Sequence, residues 1–302
     1  MAHTNPNIEP GAYTGRFAPS PTGPLHFGSL IAALASFLDA RANQGLWLVR
    51  MEDLDPPREP AGAAEQILAQ LHSLQLHWDG DVLYQSHRHA AYKKAISELQ
   101  QQQLCYECSC TRQDIRAMGL VYDGRCQNVT HPQDRQTALR VKTANWLNQF
   151  DDLVQGSIAQ NVQQEVGDFV IQRKDGLFAY QLAVVVDDAF QGITHIVRGY
   201  DLIDSTPRQL YLQQIMGYPT PSYAHIPVIV NAEGQKLSKQ RFAAAIDTSM
   251  GAKLILEALK FLGQHPPGKM QSATISELLD WGIEHWDIQS VPKLANIPEL
   301  TV

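Results

Sequence analysis

Residues 16–30 read Arg-Phe-Ala-Pro-Ser-Pro-Thr-Gly-Pro-Leu-His-Phe-Gly-Ser-Leu. An extended segment led by Arg16 passes through a turn rich in proline and glycine and enters an apolar helix, in which Leu30, Ile31, Leu34, Phe37 and Leu38 keep helical spacing. His26, Gly28 and Ser29 therefore fall at the N-terminus of that helix. Its unpaired N–H groups and dipole attract phosphate, and a glycine there lets a ligand come close. Some two hundred residues on, positions 234–239 read Gly-Gln-Lys-Leu-Ser-Lys, placing Lys236 and Lys239 around Ser238 in a loop. A lysine on such a loop can follow charge developing on a triphosphate. Taken singly, the first stretch reads equally as a helix cap and the second as a solvated hairpin tip. Together, in this order, they predict a nucleotide site.

Working outward, residues 45–51 have the composition of a buried strand, and 62–76 and 87–103 read as helices, so the first part alternates β and α around a largely parallel sheet. Between 104 and 177 the pattern loosens into short strands, turns and cysteines, which suggests an inserted module. Alternation resumes with apolar runs at 178–186 and 193–197, a helix at about 205–216, and a strand at 223–230 that feeds the lysine loop. After Ala245 the chain turns helical, with Leu254, Ile255, Ala258, Leu259 and Leu262 on one face and a short helix near 276–286. The expected architecture is α/β: a split Rossmann-like catalytic domain (1–103 and 178–245), an insertion (104–177) and a small helical C-terminal domain (246–302).

The 302 residues, 44% hydrophobic and 18% charged, suffice for a sizeable core. No run of eighteen apolar residues occurs and the first residues lack a signal-peptide pattern, so a cytoplasmic protein without a membrane partner is expected. A formal charge of −7 weighs against extensive contact with nucleic acid but leaves room for a local basic face. With no heptad or obvious patch, a monomer is the expectation.

Cys108 and Cys110, then Tyr122, then Cys126 form a cluster close enough to close around one ion. In a cytosolic protein such clustering favours zinc over disulfides; the plainer alternative is four free thiols, Cys105 included.

These stretches resemble the His-Ile-Gly-His and Lys-Met-Ser-Lys-Ser signatures of class I aminoacyl-tRNA synthetases, in the glutamyl branch. The flanks agree: Arg16 to Gly23, Arg50-Met-Glu-Asp-Leu-Asp55, and residues 185–199, Val-Val-Asp-Asp-Ala-Phe-Gln-Gly-Ile-Thr-His-Ile-Val-Arg-Gly. The likeness spans roughly residues 14 to 245. It implies that ATP and L-glutamate react at the α-phosphate to give glutamyl-adenylate, with Mg2+ accompanying ATP, His26 contacting the phosphates and Lys239 stabilising pyrophosphate. Gly28, Ser29, Lys236 and Ser238 complete the implied ATP site. The second histidine of the signature is Ser29 here, so the role of His26 is not doubled.

A glutamate pocket needs about two cationic groups and one anionic group, preferably arginines for their planar fork. Arg16 and Arg198 can supply the forks, Glu52 can hold the ammonium, and Tyr180 can add a hydroxyl. The resemblance places glutamate binding at these positions, with Phe17, Ala18, Pro19 and Ser20 lining the same pocket. The plainer alternative is a surface ion-pair cluster of Arg50, Glu52, Asp53 and Asp55, with Arg198 merely exposed at a strand end.

Cys-x-Cys, Tyr, x-x-x-Cys also resembles the zinc site of the truncated glutamyl paralogues, the glutamyl-queuosine tRNA(Asp) synthetases. That implies a structural zinc held by Cys108, Cys110, Tyr122 and Cys126, with His131 the competitor for the fourth position. Only 63 residues follow Lys239, too few for an anticodon-binding region, and a body of this size has a radius of gyration of roughly 19 Å. Truncated members of the family glutamylate the queuosine base at the first anticodon position of tRNA(Asp), so the implied partner is that anticodon stem-loop. Two alternatives stand beside it: a minimal glutamyl-tRNA synthetase charging a 3' end, and a catalytically silent RNA-binding paralogue.

Overall fold

Thr14–Phe17 forms β1, buried at every residue, and Leu46–Met51 forms β2 beside it in parallel, with Arg16 opposite Leu48. Parallel neighbours need a crossover. Helix α1, Phe27–Ala42, supplies it, with Leu30, Ile31, Leu34 and Leu38 sealed in the core. The computed structural model describes residues 12–119, 121–132, 134–231 and 244–298. After β2, helix α2 (Ala63–Ser73) leads to β3 (Leu83–Tyr84), which extends the sheet in parallel, and then to α3 (His89–Gln101).

The region expected as an insertion is antiparallel. Strands β4 (Cys105–Cys108) and β5 (Ala138–Val141) pair, with α4 (Arg112–Ala117) between them in sequence; β6 (Leu147–Asp152) and β7 (Gly156–Asn161) form a hairpin; β8 (Phe169–Gln172) completes the sheet on β5.

The run 178–186, read with the alternating segments, is helical: α5 spans Tyr180–Phe190. Leu182 to Val186 are all buried, and an apolar run this short does not separate a buried helix from a buried strand. Strand β9 (His195–Gly199) follows, then α6 (Thr206–Met216) and β10 (Ser222–Ile226), parallel to β9. Thr194 N–H donates to Thr14 O at 2.9 Å, tying the start of β9 to β1. The strand expected over 223–230 breaks at Pro227, where β10 ends and β11 (Val228–Val230) begins.

The C-terminal region contains α7 (Gly251–Phe261) and α8 (Ile275–His285), as its apolar spacing predicts. Gly282 brings α8 close to α1: a Cβ there would stand 3.0 Å from Leu38 Cδ2. The tail is not helical throughout. Asn296–Pro298 forms β12, which pairs in parallel with β11. Among the described residues no helix is long and apolar enough to cross a membrane.

Candidate active site

Helix α1 begins at a cavity of about 710 Å³ whose walls come from β1 and the segment after it, from the end of β2, from α5, from β9 and from β11. Arg16, Phe17, Ala18, Pro19, Ser20, His26, Gly28, Ser29, Glu52, Tyr180 and Arg198 all line it. Residues scattered over 180 positions are thus brought to one place. Lys236, Ser238 and Lys239 lie outside the described residues.

The helix end is organised by a reciprocal cap. Ser29 N–H donates to His26 Nδ1 at 3.2 Å, and His26 N–H donates to Ser29 Oγ at 2.8 Å. With Nδ1 accepting, the neutral ring carries its proton on Nε2, which makes His26 a donor at that atom. The Ser29 hydroxyl, expected to face a ligand, donates instead to His26 O at 2.7 Å. No acidic residue occupies the first turn, so its dipole is left open to an anion. Gly28 has a further use: a Cβ would come within 3.2 Å of the His26 ring and of Ile229 Cγ2.

A buried charge network stands behind the cavity. Asp188 Oδ1 accepts from Arg16 Nε at 3.2 Å and from Arg50 Nη1 at 2.8 Å, and Arg50 Nη1 also reaches Gln191 Oε1 at 2.8 Å. Arg50 Nη2 lies 3.4 Å from Glu52 Oε1. Arg50 is 0% exposed, Arg16 3% and Asp188 3%, so of the suspected surface cluster Arg50 belongs to the buried network, while the partly exposed Asp53 accepts from Ser86 and Asp55 from Arg58. Glu52 N–H donates to Pro19 O at 3.0 Å, which fixes the 17–20 segment against the end of β2.

Burial drives the Glu52 carboxyl above its usual range against the opposing pull of Arg50 and Arg16. Burial also works to raise Asp188, but the two guanidinium charges outweigh it and hold that carboxyl below its usual range. Arg198 too is buried, at 4% exposure, not exposed at a strand end. Its Nη1 donates to Tyr180 Oη at 3.4 Å. Arg16, Arg50 and Arg198 against Glu52 and Asp188 leave one positive charge in excess. That balance fits a ligand carrying two carboxylates and one ammonium.

The cysteines form a second cluster. The sulfurs of Cys108, Cys110 and Cys126 lie within 4.8 Å of one another, with Cys110 and Cys126 at 3.5 Å. Tyr122 Oη stands 3.3 Å from Cys108 Sγ and 3.6 Å from Cys110 Sγ. A tetrahedral zinc with Zn–S bonds of about 2.3 Å has ligand-to-ligand edges of roughly 3.8 Å, so four donors at this spacing fit one ion. His131 instead places Nε2 at 3.2 Å from Glu107 O. Burial would raise the Cys108 thiol, but hydrogen bonds from Tyr122 and Arg140 bring it down to about 7. Cys105 stands apart in β4, its thiol pushed up to about 11 by burial.

Sequence reasoning did not single out Asp188 and His225, which hydrogen-bond Arg16 and Arg198, or Gln191 and Asp152 behind them. The signal for the first was local: two adjacent acids, Asp187 and Asp188, interrupt an otherwise apolar run.

Comparison with known proteins agrees with this geometry. The family model for the catalytic domain of class I tRNA synthetases (E and Q) matches residues 13–254. The chain is 51% identical over 288 residues to a protein of Ectopseudomonas mendocina (strain ymp) named glutamyl-Q tRNA(Asp) synthetase, covering 95% of this chain and 98% of that one. It is 53% identical over 291 residues to the protein of the same name from Thiobacillus denitrificans, covering 94% and 97%. In fold it resembles a glutamate tRNA ligase from Elizabethkingia meningosepticum, solved in complex with its amino acid, with a TM-score of 0.78 at 24% identity over 95% of this chain and 67% of that one. On its sequence, its cavity and these relatives, the chain belongs to the class I tRNA synthetases of the E and Q type.

Proposed function

We propose that this protein activates L-glutamate with ATP to form glutamyl-adenylate and transfers the glutamyl group to the queuosine base at the first anticodon position of tRNA(Asp), acting in the cytoplasm as a monomer. The observation that carries the reading is the pairing, in one cavity, of Arg16, Arg198 and Glu52 with the open N-terminus of α1. The name shared by relatives that match along nearly their whole length supports tRNA(Asp) as the acceptor.

In the first step a carboxylate oxygen of glutamate forms a bond to the α-phosphorus as the bond to pyrophosphate breaks. In the second, a hydroxyl oxygen of queuosine bonds to the acyl carbon, the bond from that carbon to the phosphate oxygen breaks, AMP leaves, and the hydroxyl proton passes to the leaving phosphate or to solvent. Neither step needs a covalent enzyme intermediate; positioning and fixed charge supply the catalysis. Arg16 and Arg198 hold carboxylates, Glu52 the ammonium, and His26 donates from Nε2 to a phosphate oxygen. Lys236, Ser238 and Lys239 are assigned to the triphosphate by the sequence signature. Magnesium, when bound with ATP, neutralises phosphate charge.

Zinc belongs to the same proposal as a structural ion held by Cys108, Cys110, Cys126 and Tyr122. Four protein ligands leave no open position for a catalytic water.

The test of the amino-acid half is ATP–pyrophosphate exchange. Exchange that requires glutamate, is not supported by glutamine and is lost in Arg198→Ala is expected. Exchange with glutamine as efficient as with glutamate would refute the charge argument.

A further inference from the structure

Arg198 faces the cavity, but its aim is set from behind. Its Nε–H donates to His225 Nε2 at 3.0 Å, and its Nη2 donates to Thr206 Oγ1 at 2.8 Å and to Leu202 O at 3.4 Å. Thr206 Oγ1 also stands 3.1 Å from His225 Nε2. His225 is completely buried, and its Nδ1 lies 2.5 Å from Asp152 Oδ2. The other oxygen of Asp152 accepts the backbone N–H groups of His225 (3.0 Å), Val154 (3.0 Å) and Gln155 (2.9 Å).

An ionised carboxylate only accepts, so the proton between Asp152 and His225 sits on Nδ1, and the neutral ring offers a lone pair at Nε2. That tautomer can receive Arg198 Nε–H; the opposite one would set two donors against each other. We propose that Asp152 and His225 are positioning residues for amino-acid selection: Asp152 fixes the tautomer of His225, and His225 holds the Arg198 fork at the angle that meets a substrate carboxylate. Asp152 ends β6, so the hairpin β6–β7, between the cysteine cluster and α5 in the chain, sets the geometry of the amino-acid pocket. The inference rests on reading that pocket as the glutamate site.

Asp152→Asn separates this role from plain support. Asparagine keeps an oxygen for the three backbone donors but presents an amide N–H to His225 Nδ1. The ring must then carry its proton on Nε2, against Arg198. In ATP–pyrophosphate exchange, KM for glutamate is expected to rise at least tenfold, while KM for ATP stays within about twofold. His225→Phe should do the same. His225→Gln, whose Oε1 can accept Arg198 Nε–H, should recover most of the loss.

Wild-type glutamate KM in Asp152→Asn, an equal rise for both substrates, or His225→Gln no better than His225→Phe would overturn the proposal. Should the variants fail to fold, the unaltered protein decides. In nitrogen-15 spectra with the His225 ring assigned, that ring should be neutral and protonated at Nδ1, and a His225 ring protonated at Nε2 would overturn it; assignment matters because His285 Nδ1 also donates, to Trp281 O at 3.0 Å. Failure of the wild type to show glutamate-dependent exchange is a different result, and sinks the glutamate reading itself.

Discussion

Asp188→Asn keeps the shape of the side chain and removes one charge from the centre of the network. Its Oδ1 serves Arg16 Nε and Arg50 Nη1 together, and side-chain exposures of 4% or less leave little water to replace it. An asparagine amide keeps one oxygen for both guanidinium groups but carries no charge to balance them. Removing one partner of a buried pair costs about 3–5 kcal/mol, because the other charge stays buried and uncompensated. That is a large share of a typical total of about 5–15 kcal/mol. Scaling the unfolding entropy of about 2.1 cal/mol/K per residue to this chain, a single transition would move down by roughly 5–8 °C.

Two features make the reasoning checkable by thermal and denaturant unfolding. Arg50→Met should also destabilise, and the double variant should cost less than the two singles added, by about 0.5–3 kcal/mol, because the second change removes the charge the first one stranded. The acid limb should change too. Asp188 is held below its usual range, so its contribution is complete above the unfolded carboxylate pKa of about 3.9 and is lost as pH falls through the lower native value. Asp188→Asn should flatten that limb. A cost under about 1 kcal/mol, or strict additivity with Arg50→Met, would refute the account and mean that Glu52 and Gln191 suffice to hold the arginines.

Gly28→Ala adds a methyl 3.2 Å from the His26 ring and from Ile229, displacing the ring by a few tenths of an ångström; the rate of glutamate activation should fall by about tenfold with little change in melting temperature. Metal analysis of the purified protein should find about one zinc per chain, and Cys110→Ser should lose it and melt lower while exchange at low temperature persists. His225 is kept neutral by burial and by Arg198, with Asp152 and Asp201 pulling the other way, so its native pKa lies below the unfolded value of about 6.5. Its effect on stability is therefore favourable above that value and fades as pH falls through it, and a urea titration from pH 8 to 5 should show a decline that His225→Gln reduces.

What the sequence made legible was local. The cap at His26, the apolar face of α1 and the Cys-x-Cys spacing each depend on neighbours a few residues apart, and each stands where its spacing implies. The charge network was not legible, because Arg50 and Asp188 are 138 positions apart and nothing in either segment names the other. His225 left a fainter trace: a polar side chain among the buried residues of β10, with its partner Asp152 73 positions away on the β6–β7 hairpin. Helix α5 and strand β12 escaped for opposite reasons. The first is a short, fully buried apolar run that reads as strand or helix alike; the second is three residues long and exists by pairing with β11.

The central claim is the acceptor, and one measurement addresses it: transfer of radiolabelled glutamate, with ATP and magnesium, to tRNA(Asp) containing queuosine, beside the same tRNA lacking it and tRNA(Glu). Label on the queuosine-containing tRNA(Asp) alone is the predicted result. Label on the terminal adenosine of tRNA(Glu) would contradict it and make the protein a minimal glutamyl-tRNA synthetase.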